Sequence, residues 1–159
     1  MLLTGVHSPY VHWSPAGPGW YPTPQAVVGG YDLNGETIYV GRTLHSSGDV
    51  IPGKVVPSHG VCYVSWGGNE HPARAYQVMQ AHAGVILQWS PSSGYGVPPG
   101  AIQAGATSTG EALFVGRVQH GGSFAVGKVQ PSHNALYIPF ARSEFAYHHG
   151  YEVLCHRPW

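Results

Sequence analysis

The sequence predicts an all-β protein, two tandem pseudo-symmetric repeats of short antiparallel sheets packed into one compact body. Three observations carry that expectation. A long motif occurs twice: Ile38-Tyr39-Val40-Gly41-Arg42 with Pro52-Gly53-Lys54-Val55-Val56-Pro57-Ser58-His59 returns as Leu113-Phe114-Val115-Gly116-Arg117 with Val126-Gly127-Lys128-Val129-Gln130-Pro131-Ser132-His133. No window shows a sustained helical apolar period. Gly 23 and Pro 14 accompany Tyr 10 and Trp 5 in 159 residues, the make-up of short strands joined by tight turns. Such a length holds one ordinary domain or two small ones sharing a core.

Taken along the chain, residues 1–12 form an N-terminal segment, and Met1-Leu2-Leu3-Thr4-Gly5-Val6-His7 has neither the basic leader nor the apolar length of a secretory signal. The first repeat, residues 13–79, opens at Trp13-Ser14-Pro15. Ala26-Val27-Val28-Gly29-Gly30-Tyr31-Asp32 reads as a strand, Leu33-Asn34-Gly35-Glu36 as its hairpin turn and Thr37-Ile38-Tyr39-Val40-Gly41-Arg42 as the return strand, because Asn-Gly between two such runs is a strong hairpin signal. Asp49-Val50-Ile51 leads to a turn expected at Pro52-Gly53, then to the strand Val61-Cys62-Tyr63-Val64-Ser65-Trp66 and a closing strand Tyr76-Gln77-Val78-Met79. Residues 80–88 lack the polar, Pro-rich character of a flexible linker and read as a connecting strand. The second repeat, residues 89–155, restates the plan with Trp89-Ser90-Pro91, a hairpin at Thr109-Gly110, the strand Ala135-Leu136-Tyr137-Ile138-Pro139-Phe140 and the closing Tyr151-Glu152-Val153-Leu154. The copies align almost without gaps, so they are expected to pack on each other.

Charge narrows the function. Only 9% of residues are charged, and Lys+Arg 7 balances Asp+Glu 7. The basic residues are scattered, so the clustered cations that bind phosphate backbones or anionic membrane surfaces are missing, and neither nucleic acid nor membrane insertion is expected. Cys62 and Cys155 stand opposite Leu136 and Gln80 in the repeat alignment and fit no duplicated disulfide or metal framework; two buried free thiols and a cytoplasmic location, with release by a non-signal route left open, are expected. Eleven histidines show no paired zinc spacing, so no metal and no cofactor is expected, though they allow pH-dependent binding. Ser58-His59 and Ser132-His133 do not make a nucleophilic dyad in an extended segment, where neighbours point to opposite faces, and no enzyme activity is expected.

The duplicated residues resemble the DM9 repeat family, whose pattern is an opening Trp, an Ala-Val-x-Gly-Gly turn, Tyr-Val-Gly-Arg, Pro-Gly-Lys-Val and a terminal Tyr-Glu-Val-Leu; both copies match between Trp13 and Leu154. The resemblance implies a two-repeat, calcium-independent, mannose-binding lectin that forms a homodimer and serves invertebrate innate immunity by recognition and agglutination. It also implies that Asp32 and Lys54 contact mannose. The chemistry is coherent, because a carboxylate accepts from neighbouring sugar hydroxyls while an ammonium donates to their oxygens. Asp49 is a candidate second acceptor at that site.

In the second copy Lys128 is retained, but Thr107 matches Asp32 and Ser123 matches Asp49. Exchanging a charged acceptor for a hydroxyl replaces a bond of roughly 1.5–3 kcal/mol by one of roughly 0.5–1.5 kcal/mol. The Thr107/Lys128 site is therefore expected to bind mannose at least about tenfold more weakly. The repeated Arg42 and Arg117, Glu36 and Glu111, and Glu70 and Glu144 read as scaffold ion pairs or turn anchors. Trp13 and Trp89 read as core, whereas the unduplicated Trp20 and Trp66 are candidate surface platforms for a sugar ring. The rival function is a non-catalytic protein-interaction or vesicle-associated scaffold of stressed or infected cells, without sugar binding.

Overall fold

A computed structural model describes residues 8–92 and 96–157, so the leader reading made on Met1–His7 lies outside the described residues. The first copy supplies β1 (Val11–Ala16), β2 (Val28–Tyr31), β3 (Thr37–Leu44), β4 (Val50–Val56), β5 (Val61–Trp66), β6 (Asn69–Ala73) and β7 (Tyr76–Ala81). The second supplies β8 (Ile86–Pro91), β9 (Gln103–Ala106), β10 (Ala112–His120), β11 (Ser123–Gln130), β12 (Ala135–Phe140), β13 (Ser143–Tyr147) and β14 (Glu152–Arg157). A single 3-10 turn, Pro57–His59 or Pro131–His133, precedes β5 and β12.

The strands close an antiparallel barrel in the order β4, β3, β2, β11, β10, β9 and back to β4, each copy giving half of the ring. The order β5-β6-β13-β12 bridges β4 to β11, while β1 and β7 flank β3, and β8 and β14 flank β10. The seams between copies obey a pseudo-two-fold: Phe124 pairs with Tyr31, its counterpart Val50 pairs with Ala106, and Ser143 pairs with its own duplicate Asn69. A residue facing its own copy marks the axis. The central core is shared, with Val27, Ile38, Val40, Val56 and Met79 packed among Ile102, Ala104, Val115, Val126 and Leu154. One smaller core flanks it in each copy, around Ile51 and Val64 in the first and around Leu136 and Ile138 in the second.

The Asn34-Gly35 hairpin forms as expected: the Gly35 N–H donates to the Asp32 carbonyl at 3.0 Å, and Gly35 takes φ 78, which glycine adopts without steric cost. Gly110 repeats this with φ 97. Two expectations need correction. Pro52-Gly53 is no turn; both residues lie inside β4, with Gly53 opposite Gly41. Glycine serves there for close approach, since a Cβ on Gly53 would fall 2.1 Å from the Tyr63 carbonyl oxygen. Residues 80–88 are not one strand either. β7 ends at Ala81, the chain reverses through a turn closed by Val85 N–H on the His82 carbonyl with Gly84 at φ 81, and β8 starts at Ile86.

The repeated Arg42 and Arg117 stitch the copies together. Arg42 lies over the Trp13 ring and donates to Gln77 and, across the seam, to the Ala104 carbonyl; Arg117 lies over Trp89, pairs with Glu152 and donates across to the Gly29 carbonyl. Burial lowers the Arg42 pKa to about 10. Glu36 accepts from the Ser58 N–H and hydroxyl, and Glu111 does the same for Ser132, so both are turn anchors. Cys62 and Cys155 are free and buried.

Candidate functional site: two clefts across the pseudo-two-fold

Lys54 is presented by β4, in register with Val40 on one side and Tyr63 on the other. It opens into a cleft of about 260 Å³ lined by the Asp32-Leu33-Asn34 turn, Val56, His59, Tyr63 and Glu70, and closed from the other copy by Phe140 and Ala141. That volume lies just under the usual ~300–1,000 Å³ of small-molecule pockets, the scale of a single ring. The Lys54 ammonium sits 3.8 Å from a Glu70 carboxylate oxygen and faces the Tyr63 and Phe140 rings at 5.6 and 5.3 Å. Burial lowers its pKa, and the charges of Glu70 and Asp32 oppose that shift.

Asp32 and Lys54, singled out in the sequence, thus share one cleft. Asp32 also caps its own turn, because its Oδ1 accepts from the N–H groups of Asn34 and Glu36 at 3.0 and 2.9 Å. Its Oδ2 makes no hydrogen bond among the described residues and is left for another donor. Burial and the Glu70 charge raise the Tyr63 phenol, whose oxygen lies 2.7 Å from His59 Nδ1. The Ser58 hydroxyl is held by Glu36 and the His59 ring by Tyr63, so the adjacent pair serves different partners.

A second cleft of about 340 Å³ surrounds Lys128, with Gln130, His133, Tyr137 and Glu144 from the second copy and Asp49, Trp66 and Gly67 from the first. Two sequence-derived placements change here. Asp49 does not join Asp32 and Lys54; it stands at Lys128, because the β3–β4 hairpin reaches across the seam and Asp49 Oδ1 accepts from the Ser108 N–H at 2.8 Å. Thr107 does not line the Lys128 cleft, since its Oγ1 accepts from the Glu111 N–H and contacts Thr109. Burial lowers the Lys128 pKa against the opposing charges of Glu144 and Asp49.

Glu70 and Glu144, read from the sequence as scaffold, line the two clefts. Their signal was their retention in both copies of a chain poor in charge. Phe140 and Trp66 arrive from the opposite copy, which no local pattern announces. Trp66 is 41% exposed, whereas Trp20 packs edge-on against Tyr39 beside the first copy's core. Trp13 and Trp89 lie against the central core, as expected. Among the described residues no group of three or more His, Cys, Asp or Glu gathers to hold a metal ion.

The fold and its paired clefts define a class: a pseudo-symmetric all-β barrel with one largely enclosed lysine and two carboxylates in each of two related hollows. The chain matches the DM9 repeat over residues 32–147 and belongs to that family. Among solved structures it is similar to the nematode sperm cell motility protein MFP2B, with a TM-score of 0.71 at 18% identity, a likeness of fold. The match covers 99% of this chain and 49% of that one, so the chain spans about half its length. No curated protein matches it by sequence.

Proposed function

We propose that the protein is a calcium-independent lectin for mannose-type glycans. The observation that supports this best is the meeting of Asp32 and Lys54 in one ring-sized cleft, without a direct ion pair between them. A hexose fits that gap chemically. Two neighbouring hydroxyls can donate to the spare Asp32 oxygen and to Glu70 while their oxygens accept from Lys54, and charge-assisted bonds of this kind are about twice as strong as neutral ones. No cation is needed to organise them, and the protein has no catalytic role in this reading.

Single sites of this size bind weakly, so the proposed biological form is a homodimer that gains avidity on clustered glycans, as a recognition and agglutination factor of innate defence. A cytoplasmic location with release by a non-signal route completes the proposal. Titration with D-mannose in the presence of chelator tests it. Binding that persists in chelator and is weakened in Lys54→Ala is expected. A folded wild-type chain that binds no mannose, and captures a protein partner instead, would favour a non-catalytic interaction scaffold.

A further inference from the structure

We infer that the Lys128 cleft is a second pyranose site in its own right, assembled from both copies, with Asp49 supplying the carboxylate across the seam and Trp66 the platform. This inference rests on the lectin reading above and changes what the second copy is expected to do. The absence of a carboxylate at Thr107 suggested a weakened duplicate. Asp49 removes the premise of that weakening, because its carboxylate is bound to the N–H of Ser108, next to Thr107, and lines the cleft. The first cleft has no such visitor: Ser123, the counterpart of Asp49, is buried and donates its hydroxyl to the His120 carbonyl. Each lysine therefore meets two carboxylates, Asp32 and Glu70 at Lys54, Asp49 and Glu144 at Lys128.

The second cleft also holds a buried acceptor without a partner, whereas the spare Asp32 oxygen of the first is not among the buried unpaired atoms. Glu144 Oε2 is buried with no hydrogen-bond partner, and among the described residues Lys128 has no carboxylate within the 4.0 Å of an ion pair. Buried acceptors are almost always satisfied, and leaving one open is costly. If the carboxylates served only to neutralise a buried lysine, direct pairing would be the economical arrangement. An open acceptor, a second carboxylate and an unpaired ammonium around one hollow instead match a ligand that both donates and accepts. The exposed Trp66 ring, stacked on His45 with centroids 5.0 Å apart, offers a flat apolar face where the first cleft has Phe140. A neutral pyranose combines hydroxyl edges with a C–H face and meets all of these demands.

The lining sets the preference of each cleft. Leu33 and Val56 make the first partly apolar, while in the second Gln130 replaces Val56 and the counterpart of Leu33 is not in the lining. The Lys128 cleft should therefore select a pyranose with free hydroxyls along both edges, and the Lys54 cleft should tolerate a deoxy or alkylated edge.

The full chain carrying Asp32→Asn, titrated with D-mannose, D-glucose and D-galactose while the Trp66 indole signal is followed by NMR, tests this. A saturable Trp66 response to at least one hexose is expected, weakened at least about tenfold when Asp49→Asn is added. Trp66→Ala, a change at an exposed side chain, should likewise weaken the sugar binding that Asp32→Asn retains, by calorimetry. An Asp32→Asn chain silent to all three sugars, while the wild type binds one, overturns the second site and leaves the lectin reading standing. So does a Trp66 response indifferent to Asp49→Asn. A wild type that binds none of the three overturns both.

Discussion

Asp32 carries two duties that one substitution can separate. Asp32→Asn keeps an oxygen for the N–H groups of Asn34 and Glu36 but removes the charge, so the mannose affinity of the Lys54 cleft should fall about tenfold with little change in the urea midpoint. Asp32→Ala should lose both, with an added cost of about 1–2 kcal/mol in unfolding free energy. The histidines beside the lysines give a pH prediction. Burial lowers the pKa of His45 and His120 below the ordinary 6.5, with Lys128 and Lys54 respectively adding to the shift, His71 also lowering and Asp49 raising that of His45. A depressed histidine means that the unfolded chain binds more protons below 6.5, so stability present above that pH is lost as pH falls through the folded-state values. Urea midpoints measured from pH 7.5 down to 5 should decline, and the double variant His45→Gln/His120→Gln should show a shallower slope. At this scale the sequence was legible through the family resemblance, which pointed to Asp32 and Lys54, and the two share one cleft; low charge content alone does not single them out. Trp66 was read as an exposed platform, but Asp49 was misplaced and Phe140 missed because their partners lie in the other copy, and spacing along a chain says nothing of a seam.

The strands explain why Pro-Gly-Lys and its counterpart Val-Gly-Lys recur. Gly53 and Gly127 bring β4 and β11 so close to β5 and β12 that the neighbouring lysines turn into their clefts beside Tyr63 and Tyr137. A Cβ on Gly127 would sit 1.9 Å from the Tyr137 carbonyl oxygen, a collision of backbone that no side-chain rotation relieves. Gly127→Ala should cost about 3 kcal/mol by urea unfolding and displace Lys128. Gly122→Ala, which would meet only the Leu33 side chain at 3.5 Å, should stay within about 0.5 kcal/mol of wild type. Strand identity was readable in the sequence to the residue for β5 and β12, each a largely apolar run that follows Pro-Ser-His and a turn residue, Gly60 or Asn134. Pro-Gly misled because the pair usually marks a turn; here glycine is present for close packing, which depends on a strand elsewhere in the chain. Residues 80–88 misled for a related reason, since the apolar run on either side of Gly84 conceals a change of direction.

At the scale of the whole molecule, the barrel has no half that closes alone. Each copy gives three of its strands, and the central core draws on both. Full-length protein should therefore unfold in one cooperative transition followed equally by tryptophan fluorescence and circular dichroism. A fragment holding residues 8–82 should be unfolded when dilute and should fold, if at all, as a concentration-dependent dimer, because a second fragment can occupy the place of β9, β10 and β11. Sedimentation of that fragment across a concentration series checks it; a stable folded monomer would contradict the shared core. Asn69 facing Ser143 has a last implication. In an assembly of two identical chains, every mutation strikes both halves at once. Tethered in tandem, the halves escape that rule: an acidic side chain can vanish from one loop and reappear on the loop opposite, and two hollows born alike are free to acquire different tastes within one rigid frame.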